Sequence, residues 1–161
     1  MIDSKRRGFF TSFSKLLKDK DKKRLIRPPY NVDVSLFDKC LECDGFCVDA
    51  CEESIIELLD GKPILNFVNS GCTYCRECAD VCEFKVLDLE LELEREFLIE
   101  AKFKIDDSCL AKNGTICCSC RDVCDVSAIT FEGMFNPKIE SSCINCGFCF
   151  GICPTKSIEV S

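Results

Sequence analysis

From Leu87 to Ile105, apolar and polar residues change places almost one for one. Leu87, Leu89, Leu91 and Leu93 alternate with Asp88, Glu90, Glu92 and Glu94, and Phe97, Ile99, Ala101, Phe103 and Ile105 continue the period of two. Such alternation puts successive side chains on opposite faces of an extended chain, so it predicts strands, with a turn at Glu94-Arg95-Glu96 folding them into a ribbon. The run is also rich in strong helix formers, which keeps a helix open as the alternative. Shorter pieces of the same period occur four times: Ile56 and Leu58, Leu87 and Leu89, Ile129 and Phe131, Ile158 and Val160. Each pair points to one face of a short strand. Asp60-Gly61 is a hairpin signal, with Pro63 opening an edge strand that carries Ile64, Leu65 and Phe67; Glu132-Gly133 is a weaker equivalent.

What precedes these pieces is the same each time. Every apolar pair stands five and seven positions after the last cysteine of a quartet, and Ser54, Lys85, Ser127 and Lys156 stand three positions after it. The quartets are Cys40, Cys43, Cys47, Cys51; Cys72, Cys75, Cys78, Cys82; Cys109, Cys117, Cys120, Cys124; and Cys143, Cys146, Cys149, Cys153, the last followed by Pro154. Each unit reads as a ligand loop, a short helical turn and a strand. Cys51 to Cys72 is 21 positions and Cys124 to Cys143 is 19, against 27 from Cys82 to Cys109, which pairs the units two by two. The predicted fold class is α+β: two tandem bacterial 2[4Fe–4S] ferredoxin-like modules with a basic N-terminal leader. Residues 1–30 are the leader, 31–90 the first module, 91–104 a connecting ribbon and 105–161 the second module.

The second and fourth quartets have gaps of two, two and three residues, the bacterial ferredoxin run that holds a [4Fe–4S] cube. Three thiolates two residues apart wrap one loop around three iron corners, and the fourth cysteine of each run serves the neighbouring cube. Cross-ligation therefore predicts up to four clusters. The first is held by Cys40, Cys43, Cys47 and Cys82, and the second by Cys72, Cys75, Cys78 and Cys51. The third takes Cys109, Cys117, Cys120 and Cys153, and the fourth Cys143, Cys146, Cys149 and Cys124. Two runs depart from the pattern: one extra residue stands between Cys43 and Cys47, and seven separate Cys109 from Cys117. Cys118, the seventeenth cysteine, reads as a spare, since using it in place of Cys117 leaves one residue before Cys120; a ligand swap is the alternative. Glu52, Glu83 and Asp125 follow the first three quartets, either as solvated helix-start residues or as charges that disfavour an added electron.

Zinc takes four ligands in a tetrahedron, usually as two separated Cys-x2-Cys pairs, and four thiolates within about a dozen residues suit it poorly. A zinc-stabilised scaffold stays open as a rival. Disulfides need an oxidising compartment and normally an even count. The chain has no histidine, which removes Rieske and haem His ligation and any Ser/His or Cys/His nucleophile pair, so an electron carrier or accessory protein is expected rather than an enzyme.

Charge is divided unevenly. Residues 1–27 balance to +7 and residues 28–161 to −14. Each oxidised cube with four thiolates is formally a dianion, which adds about eight negative charges for four clusters, so nucleic acid is not an expected partner. No apolar run reaches the ~18 residues of a membrane span. In the leader, Phe9, Phe13, Leu16 and Leu17 share a helical stripe among lysines and arginines, a pattern for docking on an anionic membrane surface or a partner; a solvated tail is the alternative. Ser4 to Phe10 looks superficially like a twin-arginine export signal. Ser14 to Arg27 is crowded with charge where such a signal needs an apolar stretch, and a cytoplasmic location suits sixteen reduced thiols.

Arg6-Arg7-Gly8, Ile26-Arg27-Pro28-Pro29, the four quartets and the stretched third run beginning Cys109-Leu110-Ala111 together resemble the NapF family of ferredoxin-type accessory proteins of periplasmic nitrate reductase systems. The resemblance spans nearly the whole chain, and the extra residue of the first quartet departs from it. It implies a cytoplasmic iron–sulfur protein that binds the catalytic subunit of periplasmic nitrate reductase before export and aids its maturation, or supplies electrons or cluster components. The alternative is a general polyferredoxin that shuttles electrons between a reductase or quinol-linked complex and an oxidoreductase.

Overall fold

A computed structural model describes residues 25–89 and 99–161. The leader stripe and the turn at Glu94-Arg95-Glu96 lie outside the described residues. The first half holds a 3-10 helix, Val34–Glu42, then α1 (Phe46–Asp49), β1 (Ile56–Leu59), β2 (Lys62–Leu65) and α2 (Glu77–Asp80). The second holds β3 (Phe103–Ile105), α3 (Ser119–Asp122), β4 (Ile129–Glu132), β5 (Asn136–Ile139), α4 (Phe148–Ile152) and β6 (Ile158–Val160). Mixed helices and strands of this kind agree with the expected α+β class.

Each half contains one antiparallel hairpin. β1 pairs with β2 around Asp60-Gly61, whose φ values of 51° and 74° suit a two-residue turn that matches strand twist. β4 also pairs antiparallel with β5, through the three-residue loop 133–135 that opens on Gly133 (φ 70°). In the second half, the strand that enters also pairs with the strand that leaves: Phe103 faces Val160 and Ile105 faces Ile158. Phe103 and Lys104, expected in the connecting ribbon, thus belong to a sheet with the end of the chain. Among the described residues, the corresponding pairing in the first half is a single bridge, Asn31 with Leu87, flanked by bonds from Val32 N–H to the Val86 carbonyl and from Asp88 N–H to the Tyr30 carbonyl. Pro28 and Pro29 have no N–H to extend it, and Tyr30 turns away at φ 66°.

The fourfold repeat has a backbone signature that residue types do not advertise. Ser54, Lys85, Ser127 and Lys156, each three positions past the last cysteine of a quartet, have φ between 49° and 53°. In all four the N–H bonds back to the carbonyl of that cysteine at 2.9–3.1 Å. This left-handed step turns the chain out of the ligand loop and into the strand. The fifth-position residues Ile56, Leu87, Ile129 and Ile158 are all buried after it.

A single hydrophobic core runs through both halves, from Ile26 to Ile158. At their junction the Phe67 and Phe103 rings meet edge to face, with centroids 5.6 Å apart. Gly147 sits here at φ 87°, and a β-carbon on it would lie 2.2 Å from the Phe67 ring, so only glycine permits this approach. The expected leader reaches into this core at its end. Ile26 and Tyr30 are buried, and Arg27 stacks 4.6 Å over the Phe37 ring while donating to the Pro63 carbonyl at 2.7 Å.

Ser127 is exposed, so its substitution isolates the backbone effect. Ser127→Val should lower the stability of the anaerobic holoprotein by about 1–2 kcal/mol through the positive φ, whereas Ser127→Gly should leave it within about 1 kcal/mol; urea unfolding midpoints measure both.

Candidate metal centres

The four ligand loops are built to one plan. In each, the third cysteine is the second residue of a one-turn helix: Cys47 in α1, Cys78 in α2, Cys120 in α3 and Cys149 in α4. A left-handed residue leads into three of these helices, Gly45 (φ 79°), Arg76 (φ 75°) and Gly147 (φ 87°); Cys118 leads into α3 at φ −133°. The extra residue of the first quartet is absorbed before this step. Asp44 lengthens the loop, Gly45 keeps the left-handed turn, and Cys47 retains the same place in its helix.

These loops surround cavities with thiols. One is lined by Cys40, Cys43, Cys47 and Cys82, with Leu58, Val81, Phe84 and Val86 as apolar wall. Another is lined by Cys51, Cys72, Cys75 and Cys78 against Tyr30, Ile55, Ile56 and Leu65. A third brings together Cys109, Cys117, Cys120 and Cys153 with Ile105, Phe131 and Ile158. Ile56 and Leu58, two apart on β1, thus serve neighbouring cavities from one face of the strand. Around Cys149 the thiols close enough to raise its pKa are Cys146, Cys143, Cys120 and Cys124, and around Cys146 they are Cys143 and Cys124. The last cysteine of each run is therefore drawn to its neighbour's loop.

Backbone amides point at the sulfurs. Gly45 N–H donates to Cys43 Sγ, Tyr74 to Cys72, Leu87 to Cys82 and Asn145 to Cys143, all at 3.4 Å. Ala128 donates to Cys124 at 3.2 Å and Ser157 to Cys153 at 3.3 Å. Such donors stabilise thiolate charge and raise the potential of an iron–sulfur group held there. Cys153 has the densest set: burial alone would push its thiol up, but bonds from Ser157 and Thr155 outweigh it and leave the pKa lowered.

Elsewhere burial dominates. It pushes Cys47, Cys72 and Cys120 up to about 11, and Cys78 and Cys149 up to about 12, with neighbouring cysteines adding to the shift. Bare thiolates are disfavoured in these cavities, and a group that supplies positive charge at their centre relieves the cost. Among the described residues, no three Cys, Asp or Glu side chains converge as ligands of a single ion. Thiols arranged around an apolar-walled space are the donor set a cube requires.

Glu52, Glu83 and Asp125 are exposed. Cys118 stands apart from the third cavity: its Sγ donates to Asp122 Oδ2 at 3.2 Å, a bond that raises its pKa. Sequence reasoning identified the thiols but missed Tyr74, which lines the second cavity two positions past Cys72. Burial holds its phenol protonated, well above the ordinary range. Its left-handed backbone (φ 56°), matched at Asn145 (φ 59°), leaves no mark in residue type.

Residues 39–86 match the family described as "4Fe-4S dicluster domain" and residues 137–159 the one described as "4Fe-4S binding domain". Among curated proteins, the ferredoxin-type protein NapF of Escherichia coli K12 is 33% identical over 98% of this chain and 94% of its own length. That of Haemophilus influenzae is 32% identical over 96% of this chain and 90% of its own length. Together with the cysteine-lined cavities, these matches make the cofactors [4Fe–4S] clusters, up to four.

Cys118→Ser should leave iron and acid-labile sulfide per chain unchanged, while Cys117→Ser should lower iron by about four atoms, the content of one cube. Anaerobic metal analysis of the reconstituted variants checks both.

Proposed function

The chain belongs to the NapF family of ferredoxin-type proteins, and from that premise we propose that it acts in the cytoplasm as an accessory protein to the catalytic subunit of periplasmic nitrate reductase before that subunit is exported. The observation that carries this reading is a likeness extending over 98% of the chain, through all four quartets. When bound, the clusters supply one-electron chemistry. The chain's part is to hold them, shield them and present them, as a carrier or maturation factor rather than an enzyme.

We assign the ligands across units: Cys40, Cys43, Cys47 and Cys82; Cys72, Cys75, Cys78 and Cys51; Cys109, Cys117, Cys120 and Cys153; Cys143, Cys146, Cys149 and Cys124. The cavity linings support the first three sets, and the nearness of Cys143 and Cys124 to Cys146 supports the fourth. On this assignment the chain comprises two tandem modules, 31–90 and 105–161, preceded by a basic leader. No described helix is long and apolar enough to cross a membrane. The leader, positive against an acidic body, is the docking element for the partner or for an anionic surface. General electron shuttling is the rival, and the same partner experiment separates the two.

Cys82→Ala should abolish the cluster nested in the first loop and spare the one whose loop holds Cys72, Cys75 and Cys78; low-temperature EPR of the reduced variant resolves this, and loss of only the second-loop cluster contradicts the crossed assignment. The iron-loaded full chain should retain the unexported nitrate reductase subunit in pull-down, and removal of residues 1–24 should weaken retention at least about tenfold through lost charge contacts. The truncation stops there because Ile26 and Arg27 belong to the core. An iron-loaded full chain that retains none of the subunit favours general shuttling.

A further inference from the structure

The second and fourth quartets meet across the two halves through their ligand loops. Cys72 N–H donates to the Cys146 carbonyl at 2.7 Å, and the Tyr74 phenol donates to the Ile144 carbonyl. A β-carbon on Gly71 would lie 2.5 Å from Phe148 N, so the two backbones are in direct contact. Tyr74 is two positions past Cys72 and Ile144 one past Cys143, which makes this a bond between ligand loops. Within each half the helices carry the corresponding contact: α1 touches α2, and α3 touches α4.

Nothing in the second quartet's own chemistry calls for a tyrosine here. The bond to Cys72 Sγ comes from the Tyr74 backbone N–H, which nearly any residue supplies. A bulky aromatic at φ 56° is disfavoured and persists where its surroundings over-determine it. The surroundings do so. The Tyr30 hydroxyl holds the Tyr74 carbonyl at 3.0 Å, and the phenol ends on the other half. Asn145, its counterpart in the fourth loop, likewise donates to the Ile99 carbonyl at 3.1 Å.

Resting on the reading that the quartets carry [4Fe–4S] clusters, we propose that Tyr74 is a positioning residue whose hydroxyl fixes the spacing of the second and fourth ligand loops, so that the four sites run in the order first, second, fourth, third. The order along the molecule then differs from the order in sequence. The two quartets of standard spacing stand in the middle, and the lengthened first and third stand at the ends.

The test compares the unsubstituted full chain, Tyr74→Phe and, as a control that removes a hydroxyl bonded only within the second hairpin, Thr130→Val, each reconstituted anaerobically. Tyr74→Phe keeps the ring and removes only the link. It should hold its iron, change the spin–spin interaction pattern in EPR of the fully reduced protein, and speed amide exchange about three- to tenfold in residues 71–76 and 143–148. Thr130→Val should leave the interaction pattern as it is. An unaltered pattern and exchange in Tyr74→Phe would overturn the proposal, as would the same change in Thr130→Val. Loss of iron in Tyr74→Phe would also overturn it, by assigning the hydroxyl to folding. An unsubstituted chain that takes up no iron would instead refute the underlying cluster reading, before any substitution is compared.

Discussion

Sulfur held around a common centre, in cavities where bare thiolates are disfavoured, is the constraint from which the rest of this structure follows. Burial drives the thiols of Cys78 and Cys149 up to about 12. The amides of Leu87, Ala128 and Ser157 serve other sulfurs, those of Cys82, Cys124 and Cys153, and the positive charge of bound iron would relieve the cost at Cys78 and Cys149. Among the described residues the α-helices are four or five residues long and the sheets have two strands each. Such elements do not stand alone; the cubes and a shared core hold them together.

The repeat solves one geometric problem four times. On the proposed crossed assignment, a loop wraps three thiols around a centre, sends the fourth to the neighbour, and then returns the chain to the core as a strand. The one-turn helix places the third thiol, and the left-handed step at Ser54, Lys85, Ser127 and Lys156 makes the return. The insertion at Asp44 shows where the plan tolerates change. The loop before the helix accepts a residue while the position of Cys47 within the helix stays the same.

The cysteine quartets and the hairpin at Asp60-Gly61 were legible in the sequence because spacing and turn chemistry write them directly into residue types. The left-handed steps were not, since serine and lysine carry no signal for positive φ. Of the strand expected from Leu87 onward, the described residues include only its start, where Leu87 bridges Asn31, and Pro28 and Pro29 on the facing segment have no N–H to donate. The junction of the halves was also hidden: Gly71 and Gly147 read as ordinary loop glycines, and only the fold reveals Phe148 and Phe67 against them. Tyr74 escaped for the same reason, as its partner Ile144 is 70 positions away.

Anaerobic iron and sulfide analysis combined with low-temperature EPR of the reduced full chain tests the central claim most directly. The account predicts a brown protein with about sixteen irons per chain, four per quartet, and signals from clusters close enough to interact. A colourless, iron-poor protein after reconstitution, or one whose thiols hold only zinc, would contradict it.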